Sequence, residues 1–146
     1  MTTDSAGITL IKEFEGTILH GYNDQSGYLT IGTGHLVRKG EPYIKGTAIS
    51  QAVSDIILHS DLRATEYSIN TGVTISITQN QFNALVSLEF NIGGHAFGTS
   101  HLLRAINAGA DNLIIKPLWL EWNRSGGRVL SDLVQRRQKE YNLYIS

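Results

Sequence analysis

The chain begins with apolar residues that recur every three or four positions, a pattern that predicts an amphipathic helix. These residues are Ile8, Leu10, Ile11 and Phe14. Thr3 or Asp4 can cap the start of this helix, and the glycine at position 16 is a natural end for it. Glu15 is therefore expected at the C-terminal end of the first helix.

The next segment, residues 16–46, has a different pattern of glycines and apolar residues. Glycines recur at short intervals, and apolar residues come in short runs such as residues 28–31. This pattern predicts a small twisted sheet of two or three strands joined by tight turns. The strongest turn signal is the Asn-Asp-Gln-Ser-Gly sequence at residues 23–27, so Asp24 can be explained as a turn former alone.

Helical patterning returns after residue 46. Thr47 or Ser50 can cap a helix that runs to about Ile69 and that the Asn-Thr-Gly sequence at 70–72 ends. Thr78 then opens a strongly apolar helix over residues 79–92, closed by two glycines. Further helices are predicted at residues 100–107, 112–122 and 131–144.

These elements predict an α+β fold in a single domain, residues 1–146. A small N-terminal sheet-containing lobe would span approximately residues 15–50. Residues 1–14 and 51–146 would form a larger helical lobe. A cleft between two such lobes is a usual place for a ligand, and we expect the active site there.

Composition excludes several classes of function. A formal net charge of −1 indicates no general attraction to nucleic acid. The segment 122–146 carries a local basic surplus, which is either a solvated helix face or part of an anion-facing groove. With no cysteine, and with histidines that lack metal-binding spacing, no metal or other cofactor is predicted.

The chain also has no apolar run approaching the roughly 18 residues of a membrane-spanning helix. Residues 1–7 are polar and lack the features of a signal peptide. We therefore expect no stable membrane insertion and synthesis in the cytoplasm.

Two carboxylates and a hydroxyl lie close together in the sequence. Glycoside hydrolysis needs one carboxyl group that holds its proton and a second group that handles water. Glu15 and Asp24 are the best-placed pair, because a helix C-terminus disfavours the charged form of Glu15 and suits a general acid. Glu13 is a rival, but it points about 160–200° away on a helix, so only one of the two can face a cleft.

Thr30 lies in a predicted strand, where β-propensity alone accounts for it. Its hydroxyl can both donate and accept, so it could also hold a water beside Asp24.

The segment 15–35, EGTILHGYNDQSGYLTIGTGH, closely resembles the catalytic signature of the phage-type lysozymes, glycoside hydrolase family 24. Glu15 is the acid before a glycine, Asp24 follows a Tyr-x pair, and Thr30 begins the Thr-Ile-Gly-x-Gly-His string. Residues 79–93 resemble the central helix of that family, and residues 133–144 resemble its final helix. Three regions in the right order cover nearly the whole chain.

The resemblance implies a lysozyme-like fold and hydrolysis of the β-1,4 bond between N-acetylmuramic acid and N-acetylglucosamine in peptidoglycan. It selects Glu15 over Glu13 as the acid that protonates the leaving oxygen. Asp24 would orient or deprotonate the attacking water, with Thr30 holding the same water, so the configuration is inverted. Such a geometry separates the two carboxyl groups by roughly 6.5–9.5 Å.

Further residues follow from the resemblance. Arg136 lines up with an arginine that pairs with the catalytic acid, and this cation would oppose the effect of the helix end on Glu15. Phe90 and Asn91 resemble substrate-binding residues of the groove, although core packing explains Phe90 equally well. His35 has a structural counterpart in the family, so it is not assigned to catalysis.

The resemblance also implies a partner and a place of action. The partner is the glycan strands of peptidoglycan, reached at the cell wall in the periplasm after a separate holin-type protein allows release, and a monomer is expected. Host cell lysis would follow. The alternatives are a catalytically inactive glycan-binding or structural domain on a lysozyme fold, and an unrelated helical interaction module. Two features depart from the family: Thr33 stands where relatives often carry an aromatic or aliphatic residue, and the net charge is slightly acidic where many members are markedly basic.

Overall fold

The computed structural model describes all residues, Met1–Ser146, and contains helices and two small antiparallel sheets. This content confirms the predicted α+β class. The helices are α1 (Ser5–Glu15), α2 (Gln51–Gly72), α3 (Gln79–Ile92), α4 (Gly94–Gly98), α5 (His101–Asn107), α6 (Asn112–Leu120) and α7 (Ser131–Tyr144). The strands are β1 (Ile18–Asn23), β2 (Leu29–Gly32), β3 (His35–Leu36), β4 (Arg124–Ser125) and β5 (Arg128–Val129).

The contacts between residues divide the chain into two compact units. Residues 11–63 form one unit, called the sheet unit below, and residues 1–10 with 64–146 form the other, called the helical unit. The single domain with a lobe at residues 15–50 stays a prediction.

The sheet unit is built on the antiparallel order β1-β2-β3. Tyr22 of β1 lies opposite Thr30 of β2, and Ile31 lies opposite His35 of β3, which confirms the predicted small sheet. A register shift interrupts β1 between Ile18 and Tyr22. Alternate residues of a strand face opposite sides, so this shift sets which β1 side chains share a face with Thr30.

Gly21 allows a close approach in the sheet unit. A Cβ atom at this position would overlap the backbone carbonyl of Ile44. The amide of Gly21 donates to the carbonyl of Thr47, and its carbonyl accepts from the amide of Gly46. The segment 44–47 can therefore pack directly on β1 only because this residue has no side chain.

Two partly exposed carboxylates surround the buried His35 in the sheet unit. Nδ1 of His35 lies 2.8 Å from Oδ2 of Asp61, and Nε2 lies 3.0 Å from Oε2 of Glu41. Burial alone would disfavour the charged imidazolium, but the hydrogen bonds and negative charges of Glu41 and Asp61 outweigh it and raise the pKa of His35. The backbone amide of Arg38 and the contact with His35 lower the pKa of Glu41. His35 thus has a structural role.

The helical unit centres on α3. Thr78 and Gln81 form a capping box, in which each side chain accepts a hydrogen bond from the other's backbone amide. Residues 82–89 are all buried, so this part of α3 is enclosed by the protein on every side. The predicted bounds of α3 and α7 are confirmed.

One acid lies inside this buried run. Glu89 is 2% exposed, and burial raises its pKa, while a hydrogen bond from Ser68 acts in the opposite direction. A carboxyl group with a raised pKa favours its neutral form, and a neutral acid costs less to bury than a carboxylate. This explains how an acidic residue is accommodated in an apolar helix.

Two predicted helix ends were wrong, one by three residues and one by two. The helix α2 continues through the predicted break to Gly72, where the side chain of Asn107 donates to the carbonyl of Gly72. In the same turn, Oδ1 of Asn70 accepts a hydrogen bond of 2.6 Å from the N-terminal ammonium group of Met1. Tertiary partners satisfy the polar groups of this last turn, so the helix does not end at the local signal. The helix α6 ends at Leu120 instead of residue 122.

Two short elements were not predicted, α4 and the hairpin of β4 and β5. Each of these strands has two residues, too few to show an alternating pattern. Gly126 and Gly127 both have positive φ and form the hairpin turn. No helix of the chain is both long and apolar enough to cross a membrane.

We expect the replacement of His35 by Gln to lower the free energy of unfolding by about 1.5–3 kcal/mol at mildly acidic pH, because hydrogen bonds to two carboxylates are lost. The pKa of His35 is raised on folding, so its contribution is complete below the unfolded value of 6.5 and disappears as the pH rises through the folded value. The stability difference between wild type and variant should therefore shrink with increasing pH. Urea denaturation across this range measures it, and a difference independent of pH would contradict the expectation.

Candidate active site

Glu15 is the last residue of α1, as predicted. Gly16 follows with a φ of 69°, and its amide still donates to the carbonyl of Lys12. A residue at this φ is strained unless it is glycine, so the helix ends here and the chain turns into β1. Glu15 is half-buried, whereas Glu13 is exposed.

The carboxylate of Glu15 lies against the turn between β2 and β3. A Cβ atom at Gly34 would lie 3.5 Å from Oε2 of Glu15, which is van der Waals contact. Gly34 also has a φ of 72°. The end of α1 and the glycine-rich turn that follows Thr30 and Ile31 are thus neighbours within the sheet unit.

Asp24 forms the turn between β1 and β2. Its Oδ1 atom accepts hydrogen bonds from the amides of Ser26 and Tyr28, at 2.9 and 2.8 Å. The carbonyl of Asp24 accepts a further bond from the amide of Gly27, whose φ is 84°. The prediction that Asp24 forms a turn is therefore confirmed, and Oδ1 is the carboxylate oxygen that does so. The other oxygen, Oδ2, takes no part in these bonds.

Thr30 is 3% exposed and lies opposite Tyr22 in the β1–β2 ladder. Its hydroxyl donates to the carbonyl of Tyr28 at 3.0 Å. Because its single proton is used in this bond, Thr30 can accept a hydrogen bond from a water but cannot donate to it at the same time. The same hairpin thus carries both Asp24 and Thr30.

Thr33, which departs from the family pattern, is 1% exposed. Its hydroxyl lies 3.0 Å from the hydroxyl of Thr17. A buried hydroxyl needs such a partner, so Thr17 accommodates the polar residue at this position.

Phe90 and Asn91 lie at the C-terminal end of α3 in the helical unit. Phe90 is half-buried and Asn91 is exposed. Asn91 lines a groove of about 490 Å³ together with Trp122 and Arg124. Half-burial gives Phe90 one part of its ring packed in the protein and another part accessible to a ligand.

Arg136 lies in α7 and is 4% exposed. Its Nε atom donates to Oε1 of Glu140 at 3.0 Å, and Nη2 donates to the carbonyl of Ser87 at 3.2 Å. Buried guanidinium groups need charged or polar partners, and Arg136 has both kinds here. Its position is therefore determined by α3 and α7.

Glu140 is the centre of this cluster and is completely buried. Oε1 also accepts from the hydroxyl of Ser87 at 2.8 Å and from Nη2 of Arg137 at 2.9 Å. Oε2 accepts from the indole of Trp119 at 3.4 Å and lies 2.7 Å from Nε of Arg137. The sequence alone assigns no role to Glu140, although its i,i+4 spacing from Arg136 is a visible signal of an ion pair.

The predicted site residues thus belong to different parts of the chain. Glu15, Asp24 and Thr30 are in the sheet unit, and Phe90, Asn91 and Arg136 are in the helical unit. No group of three or more histidine, aspartate or glutamate side chains is arranged to hold a metal ion.

An acid at the end of a short helix, a small antiparallel sheet and a larger set of helices together define a lysozyme-like α+β fold. The muramidase domain of SpmX from Asticaccaulis excentricus has this fold, with a TM-score of 0.87 and 34% identity over 99% of this chain and 98% of that domain. The family model described as Phage lysozyme matches residues 12–140. The chain therefore belongs to the phage lysozyme family.

Two relatives differ in how much of their own length this chain covers. It is 37% identical to the endolysin of Salmonella phage P22, covering 100% of this chain and 99% of that protein. It is 38% identical to the endolysin of Bacillus phage PZA, covering 100% of this chain but 56% of that protein. The chain thus spans about half the length of the Bacillus phage endolysin.

Replacement of Glu140 by Gln should lower the free energy of unfolding by about 3–5 kcal/mol, because two buried guanidinium groups lose the Glu140 carboxylate. Chemical denaturation measures this change. The exposed Glu121 at the end of α6 provides a matched control, since its replacement by Gln should change stability by less than about 0.5 kcal/mol. Equal stability of the two variants would show that the cluster is not needed for folding.

Proposed function

We propose that the chain is a peptidoglycan hydrolase that cleaves the β-1,4 bond between N-acetylmuramic acid and N-acetylglucosamine. The observation that carries this proposal is the placement of Glu15 at the end of α1, against the turn at Gly34, with Asp24 and Thr30 in the intervening hairpin. Membership of the phage lysozyme family and the endolysin relatives support it.

In this proposal Glu15 is the general acid. It protonates the glycosidic oxygen as the bond to the leaving sugar breaks, a step that needs a carboxyl group carrying its proton. Glu15 is half-buried beside the turn at Gly34, whereas Glu13 is exposed, so the role of acid is given to Glu15.

Asp24 handles the attacking water. Oδ1 is occupied by the turn, so Oδ2 is the atom proposed to take the water's proton. Thr30 accepts a hydrogen bond from the same water, since its own proton is donated to the carbonyl of Tyr28. Two acceptors on one water orient its lone pair towards the anomeric carbon and lead to inversion.

Phe90, Asn91 and Arg136 complete the proposed substrate-binding set. An aromatic face packs on a sugar ring, and an amide can exchange two hydrogen bonds with an N-acetyl group. Arg136 has little exposed surface, so its contribution is a fixed positive charge held by Glu140.

The proposal includes the route to the substrate. The chain would act as a monomer, be made in the host cytoplasm and reach the cell wall after a holin-type protein opens the membrane. The glycan strands of peptidoglycan are its partner, and cell lysis is the result.

We expect Glu15→Gln and Asp24→Asn each to slow hydrolysis by about 10²–10⁴-fold, the usual contribution of a general acid or base. Asn at position 24 retains an oxygen that can accept from Ser26 and Tyr28, so the turn should persist while the charge is lost. The loss of turbidity of Gram-negative cells stripped of their outer membrane measures the rate.

Glu13→Gln is the matched control, because it makes the same chemical change two residues earlier on α1. It should lyse cells at nearly the wild-type rate. Retained lysis by Glu15→Gln would exclude the proposed acid. A wild-type protein that binds sacculi without releasing new reducing ends would instead support the inactive glycan-binding alternative.

Inversion predicts that the first product formed is the α anomer, since a single displacement by water reverses the configuration of a β linkage. An anomer-resolved assay by NMR during the first minutes of hydrolysis distinguishes the outcomes. Initial formation of the β anomer would show a retaining mechanism and would remove the role given to Asp24 and Thr30.

A further inference from the structure

A pair of threonine hydroxyls links the two segments that meet at Glu15. Thr17 lies two residues after this acid, and Thr33 directly precedes Gly34, where a Cβ atom would lie 3.5 Å from Oε2 of Glu15. The two hydroxyl oxygens are 3.0 Å apart, and either can be the donor. This hydrogen bond therefore joins the chain that leaves α1 to the turn on which the carboxylate lies.

The pair lies at the end of the β1–β2 ladder. Ile18 of β1 is opposite Gly32 of β2, and Thr17 and Thr33 are each one residue beyond that pair. Thr33 is 1% exposed and Thr17 is half-buried. Water competes little for a hydrogen bond in such a place, so the link between the two hydroxyls is stronger than one at the surface.

The backbone next to the acid supplies little restraint of its own. Gly16 has a φ of 69° and Gly34 a φ of 72°, so both segments beside Glu15 pass through glycine in the left-handed region. Glycine restricts the backbone less than any other residue. A bond between the neighbouring residues Thr17 and Thr33 restrains both segments where their own backbone does not.

The length of this bond sets the spacing of the two segments. Carbon atoms in contact are about 3.5–4.0 Å apart, so an apolar pair of the same size would hold the segments roughly 0.5–1 Å further apart than the hydroxyls do. Reacting groups must be held within about 0.5 Å of their productive positions, and a misplacement of about 1 Å can slow a reaction by about 10²-fold. The difference between the two kinds of contact is therefore large enough to affect proton transfer.

We propose that the hydroxyl pair of Thr17 and Thr33 positions the carboxyl group of Glu15 for proton transfer. This inference rests on the proposed function, in which Glu15 is the general acid, and adds two positioning residues to it. Both threonines act through the turn at Gly34. An aromatic or larger aliphatic residue at position 33 would hold this turn by its volume, whereas this chain holds it by a hydrogen bond.

Thermal unfolding of Thr17→Val, Thr33→Val and the double variant tests whether the hydroxyls depend on each other. Thr17→Val leaves the buried hydroxyl of Thr33 without its partner and should lower the melting temperature by about 3–8 °C. The double variant removes both hydroxyls and keeps the shape of the side chains, so it should unfold close to the wild-type temperature.

The kinetics of the same variants separate positioning from stability. Release of reducing ends from purified sacculi is measured as a function of substrate concentration. The double variant should retain its stability but show a kcat about tenfold lower, with KM within about twofold of wild type, because proton transfer is impaired and substrate binding is not. Thr33→Ser keeps the hydroxyl and should restore kcat to within about twofold of wild type.

Thr47→Val is the matched control. Thr47 is also half-buried in the sheet unit, and its hydroxyl accepts a hydrogen bond of 2.9 Å from the amide of Ile44, within the segment 44–47. The same chemical change there should lower the melting temperature and leave kcat unchanged.

Crystal structures of the wild type and the double variant provide a readout that needs no hydrolysis. The distance from Cα of Gly34 to Cδ of Glu15 should increase by about 0.5–1 Å in the double variant. An unchanged distance overturns the inference, even for a protein that releases no reducing ends, which is the outcome that contradicts the proposed function. In an active wild type, the inference is also overturned if the double variant keeps the wild-type kcat, or if Thr33→Ser loses as much kcat as Thr33→Val.

Discussion

The helical unit depends on the hydrogen bonds and ion pairs made by the buried carboxylate of Glu140. It collects hydrogen bonds or ion pairs from Ser87 of α3, Trp119 of α6, and Arg136 and Arg137 of α7. A buried charge is costly unless every lone pair has a partner, so these helices are held in one relative arrangement. Through Arg137 the same cluster also positions the backbone of Trp122.

Turn geometry plays the corresponding part in the sheet unit. Asp24 is engaged twice, because one carboxylate oxygen organises the turn while the other is proposed to act on water. Thr30 is restricted in a similar way, since its hydroxyl proton is committed to Tyr28. These structural bonds reduce the freedom of both side chains, and pre-organised groups of this kind lose little entropy when a substrate binds.

The regular elements could be predicted where local patterns were long. The apolar repeat and the Thr78 cap predicted α3 from its first to its last residue, and α7 likewise agreed with the pattern. The ends of α2 and α6 could not be predicted as well, because remote partners such as Asn107 decide where the last turn stops. The β4–β5 hairpin was missed since its strands are too short to display a period.

The sequence by itself determined the fold class, the family and the candidate chemistry of Glu15, Asp24 and Thr30, because these depend on residue type and spacing along the chain. Only the tertiary structure revealed the ion cluster around Glu140 and the unsatisfied indole of Trp122. Both depend on which groups are removed from water when distant segments meet. A buried acid or indole needs a hydrogen-bond partner, which the same group does not need in water. Which groups are buried is decided only when the chain folds.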